Sequence, residues 1–152
     1  MNYVPTLDLS RAPKVSMGDL IPGTPEYRRE TYRRTKMRKE ADPNRFIKDL
    51  FLDCKNKAPQ RGIDFNLSLE MIHCVFIYQN WICAGSGRNL SVKTGDPNRA
   101  SIDRIDSNRG YEIDNIQIVT AAYNQMKNDR TQEFTDALIL DCAKVIKRKA
   151  KA

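Results

Sequence analysis

Along residues 46–54 the apolar side chains Phe46, Ile47, Leu50, Phe51 and Cys54 recur at i, i+1, i+4, i+5 and i+8, the one-sided stripe of an amphipathic helix. Asp42-Pro43-Asn44 opens that helix, and Pro59 with Gly62 closes it. Ile63-Asp64-Phe65-Asn66-Leu67 then alternates apolar and polar positions, the period of a short strand. Ser68 reads as the N-cap of a second helix, with Glu70 in its first turn and Leu69, Ile72, Val75, Phe76 and Ile77 along it to about Gln79. From Trp81, read as a core residue, to Val92 the pattern is two strand fragments joined by Gly85-Ser86-Gly87, and Asp96-Pro97-Asn98 makes a further turn. Thr131 caps a last helix whose apolar positions are Phe134, Leu138, Ile139, Cys142, Ala143 and Ile146.

The most informative pattern lies between these helices. Residues 100–106 alternate so that Ile102 and Arg104 share one strand face while Asp103 and Ile105 share the other. Asp106-Ser107-Asn108-Arg109-Gly110 forms a loop, with Tyr111 as a packing residue behind it. Asn115 to Val119 returns as a second strand, and Thr120 caps a short helix that carries Asn124 one turn in. A strand, loop, strand and helix of this size bring Asp103 and Asn124 within reach of a common ion. Hard divalent cations take oxygen ligands and keep several waters, so one carboxylate and one amide carbonyl suffice when a substrate phosphate supplies more. Mg²⁺ or Mn²⁺ is the ion this donor pair suits.

Upstream the pattern weakens. Residues 1–24, with three prolines and two glycines, have no sustained period and read as an extended arm that can lie on the body through Val4, Leu7, Leu9, Leu20 and Ile21. Thr24-Pro25-Glu26 then starts a helix over 25–43 in which Arg28, Arg29, Arg33, Arg34, Lys36, Arg38 and Lys39 face only Glu26, Glu30 and Glu40 among acids. Its apolar content is thin, so it is either a solvated face or an element that contacts phosphates. The whole chain of 152 residues carries a net charge of +7, which supports an anionic partner, nucleic acid before a membrane surface. No apolar run is long enough to span a membrane and no signal sequence is evident, which points to a soluble cytoplasmic protein. The four cysteines, Cys54, Cys74, Cys83 and Cys142, are scattered without a C-x-x-C pair, so they read as reduced and mostly buried, and a structural zinc site is not expected.

The ordered set Asp103-Arg104-Ile105, Asp114-Asn115-Ile116 and Asn124-Gln125-Met126-Lys127 resembles the ββα-metal finger of HNH endonucleases, in particular the small phage and bacterial type with a Ser-Ile-Asp-Arg-Ile-Asp run. The resemblance extends upstream through Arg61 to Leu69 and through Cys83-Ala84-Gly85-Ser86-Gly87, covering roughly residues 44–136. It implies an α+β fold in which an HNH-like domain over 44–152, with its ββα core at about 99–128, is flanked by helices and by the basic N-terminal helix. The function implied is metal-dependent cleavage or nicking of DNA by a phage-encoded enzyme acting in the host cytoplasm. Asp103 would be the metal-binding carboxylate, Asn124 the last metal ligand, and Asn115 the residue that steadies the loop.

Arg104 stands where most members of that family have the histidine that activates water. A guanidinium does not deprotonate near neutral pH, but it is well shaped to clamp a phosphate or stabilise transition-state charge. Another group must then serve the water. His73, the single histidine, is one candidate, although its place between Leu69 and Ile77 equally suits a packed helix residue. Asp106 is another, with a turn-forming role as its plain alternative, and activation by the metal alone is a third route. Arg109, Lys127 and Arg130 join the arginines of the basic helix as candidate DNA contacts. The alternative to an enzyme is a finger that has lost hydrolysis with its histidine and acts as a DNA-binding or protein-interaction module.

Overall fold

Side-chain caps set most of the helix boundaries. Thr24, in extended backbone, accepts the Tyr27 N–H at 3.2 Å and starts α1, Pro25–Ala41. Asp42 ends α1 and at once caps α2, Pro43–Lys57, its carboxylate accepting the N–H groups of Asn44 and Arg45, so one residue makes the whole break. Ser68 accepts from Met71 N to start α3, Leu69–Tyr78, while Thr120 and Thr131 do the same for α4, Ala121–Lys127, and α5, Gln132–Lys149. Three further residues, Met17–Asp19, form a short 3-10 turn in the arm. This computed structural model describes residues 16–150, and the expected arm contacts of Val4, Leu7 and Leu9 lie outside them.

The sheet is one antiparallel pair, β1 (Ala100–Arg104) and β2 (Ile116–Thr120), in the register Ala100↔Thr120, Ile102↔Ile118 and Asp103↔Gln117. The result is a mixed α+β arrangement with the order β1, β2, α4 at its centre. Helices α2 and α3 cover the pair: Phe46 and Ile47 of α2 and Ile72 and Phe76 of α3 are buried with Leu90, Ile102, Ile118 and Val119. Leu50, Phe51 and Cys54 complete the α2 stripe, half-buried against that core. Each large apolar side chain withdrawn from water this way contributes about 1.5–3 kcal/mol before entropy is counted. Among the described residues no helix is long and apolar enough to cross a membrane.

Several expectations need correction. Residues 63–67 do not form a strand: Phe65 and Tyr111 share an isolated bridge, with Tyr111 N donating to Asp64 O at 2.8 Å and Asn66 N to Tyr111 O at 2.9 Å. Pairing ends there because the opposing chain is the turning end of the β1–β2 loop, where a Cβ on Gly110 would stand 2.7 Å from Asp64 O. The Trp81–Val92 hairpin likewise contracts to the bridge Ile82↔Asn89. In its stead the Gln79 side chain pairs with β2, accepting from Ile118 N and donating to Ile118 O. Trp81 is half-buried against Phe76, not enclosed. Cys74 and Cys142 are exposed, so of the four free thiols only Cys83 is fully buried. The apolar positions of α5 are also mostly outside: Phe134, Leu138 and Ile146 are 54%, 46% and 66% exposed, and only Ile139 packs on the core.

Candidate functional site

Where β1, the loop after it and α4 converge, a polar cleft of about 130 Å³ is lined by Asp103, Arg104, Ser107, Tyr111 and Asn124. Arg61, Ile102, Asn128 and Asp129 complete its lining. Strand alternation supplies Asp103, and the first turn of α4, set by the Thr120 cap, supplies Asn124. The Asn124 amide nitrogen donates to Ser101 Oγ at 2.7 Å and to Ile102 O at 3.3 Å, which ties α4 to β1. Its Oδ1 accepts no hydrogen bond among the described residues.

Asp103 is buried, and both of its oxygens are engaged. Oδ2 accepts from Gln117, its cross-strand neighbour, at 2.9 Å, while Oδ1 accepts from the Lys127 ammonium at 3.2 Å. Burial pushes the Asp103 carboxyl above its ordinary range, against the opposing pull of Gln117 and Lys127. Gln117 also donates to Gln132, which in turn donates to the Tyr123 hydroxyl and to Asp136, so the carboxylate is anchored through a chain of amides reaching α5.

Arg104 is turned to the loop. Its Nη1 donates to Ser107 O and to Arg109 O, both at 2.7 Å, and its guanidinium lies 5.5 Å from the Tyr111 ring centre. Nε and Nη2 make no hydrogen bond among the described residues. Asn115, fully buried, closes the same loop: its Oδ1 accepts from Asp106 N, and its Nδ2 donates to Asp106 O and Gly110 O.

Asp103, Arg104 and Asn124 are therefore brought together, and two other candidates are not. His73 is half-buried on α3 and does not line the cleft. Asp106 is also outside its lining and accepts from Asn108 N, a turn-forming contact. Lys127, expected on the surface against DNA, is instead fully buried, because its ammonium is held by Asp103 and by Arg104 O at 2.6 Å. Arg109 pairs with Glu112 and Asp114, and Arg130 lies exposed over the Phe134 ring. On α1, Arg28 and Arg29 are exposed, the latter loosely paired with Glu26, while Arg33 and Arg34 both bind Glu30. Gln117, Lys127 and Arg61 are the site residues that the sequence pattern did not single out for these places. The i, i+3 spacing of Asn124 and Lys127 on one helix face was the available signal.

No three His, Cys, Asp or Glu side chains converge among the described residues. Asp103 and Asn124 together offer one carboxylate and one unengaged amide oxygen, a donor set that fits a hard divalent ion completed by water and substrate, with the Lys127 ammonium as a neighbouring positive charge. No family model, curated protein or solved structure matches the chain.

Proposed function

We propose that the protein is a metal-dependent DNA endonuclease of the HNH type, cleaving or nicking phosphodiester bonds at this cleft. The observation that carries the reading is the meeting of Asp103, Arg104 and Asn124, from a strand and a helix some twenty residues apart in sequence, in one polar recess. Asp103 and Asn124 would hold Mg²⁺ or Mn²⁺, and such an ion, when bound, polarises the scissile phosphate and lowers the barrier to attack by water. Arg104 keeps the loop closed through Nη1 and offers Nε and Nη2 to a phosphate oxygen, the planar donor geometry that suits phosphate best. Arg61 lines the same cleft, paired with Asp129 at 3.6 Å, and the exposed Arg28 and Arg29 of α1 offer further positive charge to a duplex.

Neither His73 nor Asp106 is positioned as the base, so the burden on the ion is larger than in an enzyme with a cleft histidine. A second reading, a DNA-binding module that no longer cuts, is favoured by one observation: the buried Lys127 ammonium already balances the charge of Asp103. Incubating supercoiled plasmid with the protein and Mg²⁺ or Mn²⁺ distinguishes them. The endonuclease produces nicked circles that Asp103→Asn fails to produce, whereas the module retards plasmid without nicking it.

A further inference from the structure

We propose that Lys127 is a resident counter-cation that competes with the divalent ion for the charge of Asp103, so that its ammonium weakens metal binding in the cleft. The inference rests on the reading of Asp103 and Asn124 as the ion's ligands, and it concerns what controls their occupancy.

A lysine is almost never fully buried unless it is paired, and Lys127 is 0% exposed against an Asp103 that is 4% exposed. Two hydrogen bonds fix its ammonium, one to Asp103 Oδ1 and one to Arg104 O. Asn124 and Lys127 stand three residues apart on α4, and both bond β1: Asn124 through Ser101 Oγ and Ile102 O, Lys127 through Asp103 and Arg104 O. The ammonium therefore occupies the same carboxylate that an ion bridging Asp103 and Asn124 would need. Gln117 and Lys127 each place one hydrogen bond on the carboxylate, which keeps further lone pairs for an ion but holds the ammonium beside it. A monovalent and a divalent cation sharing one carboxylate away from bulk water repel strongly, since Coulomb energies grow as the local dielectric falls. Lys127 thus balances the buried Asp103 charge within the fold and sets a threshold for metal binding.

The test measures Mn²⁺ binding directly, by the loss of the free-ion electron paramagnetic resonance signal, on the full chain of the wild type, Lys127→Met, Lys127→Gln and Asp103→Asn. Circular dichroism and thermal melts establish which variants are folded. Lys127→Gln keeps a polar group for Arg104 O if the methionine variant does not fold. The expected result is one site that binds Mn²⁺ at least about tenfold tighter in the folded Lys127 variant than in the wild type, the scale of removing a like charge a few ångströms away, and no site in Asp103→Asn. Equal or weaker binding by the Lys127 variants, with wild-type binding that still depends on Asp103, overturns the competition and leaves the endonuclease reading standing. Absence of Mn²⁺ binding in the wild type and in both Lys127 variants overturns both.

Discussion

The Lys127 ammonium and the Asp103 carboxylate, 24 residues apart in the chain, meet 3.2 Å apart, both buried. An ion pair so enclosed is costly to break on one side only, because the remaining charge keeps its desolvation cost without its partner. Lys127→Met and Asp103→Leu are each expected to lower unfolding free energy by about 3–5 kcal/mol, and the double variant by clearly less than their sum. Urea denaturation of the four proteins in a double-mutant cycle measures the coupling. Additive losses would show that the pair is not coupled.

Gly85 lies under the Tyr123 ring, and a Cβ there would stand 2.1 Å from a ring carbon. Tyr123 cannot move away freely, since it is buried and its hydroxyl accepts from Gln132 at 2.7 Å. Gly85→Ala should therefore cost about 1–3 kcal/mol or more by overpacking, which in a chain of this size lowers the melting temperature by several degrees. Gly18→Ala, where a Cβ would meet only Ser16 Oγ at an ordinary 3.6 Å, has neither this clash nor a left-handed backbone and is the control.

The helices of this fold are legible in the chain because their start signals are local: Thr24, Asp42, Ser68, Thr120 and Thr131 each cap a helix within three residues of themselves. The β1–β2 pair is legible for a similar reason, its alternation being bounded by turn residues on both sides. What fails to show is whatever depends on a distant partner. Residues 63–67 alternate like a strand yet meet only the bend at Tyr111, and the apolar positions of α5 name a face without naming anything that covers it. The cleft is half legible: the order of strand, loop, strand and helix relates Asp103 to Asn124, and only the i, i+3 spacing from Asn124 hints at Lys127, while nothing local reveals that Gln79 and Gln117 act as structural amides, because glutamine is ordinarily a surface residue.

Thiol chemistry separates the cysteines by their surroundings. Cys74 and Cys142 are exposed, Cys83 is buried, and burial, with the nearby Asp53 charge, pushes the Cys54 thiol up to about 11. Since the thiolate is the nucleophile, two thiols per chain should react rapidly with a maleimide at neutral pH while Cys54 and Cys83 wait for unfolding. Mass spectrometry of the labelled native protein, compared with the same reaction in urea, gives the count for each cysteine.

Acid should loosen α1 through one residue. Arg33 and then Arg34 hold the Glu30 carboxyl down from 4.5 to about 2. A depressed carboxylate contributes stability that is fully present above its unfolded value and is lost as pH falls through the folded one. Thermal melts of wild type and Glu30→Gln should therefore differ near neutral pH, with the wild type higher, and converge as pH is lowered from about 4.5 to about 2. A gap that persists unchanged to the acid end would show that Glu30 acts by packing and not by charge.

The proposed endonuclease would cut DNA at the Asp103–Asn124 cleft. Conversion of supercoiled plasmid to nicked circle, timed with Mg²⁺, with Mn²⁺ and with chelator for wild type, Asp103→Asn and Asn124→Ala of verified fold, tests it most directly. An endonuclease at this cleft gives nicking that needs the ion and falls by about 10² or more in both variants, the scale of losing a group that stabilises the transition state. Wild type that leaves plasmid intact with either ion, or variants that nick at the wild-type rate, would contradict it.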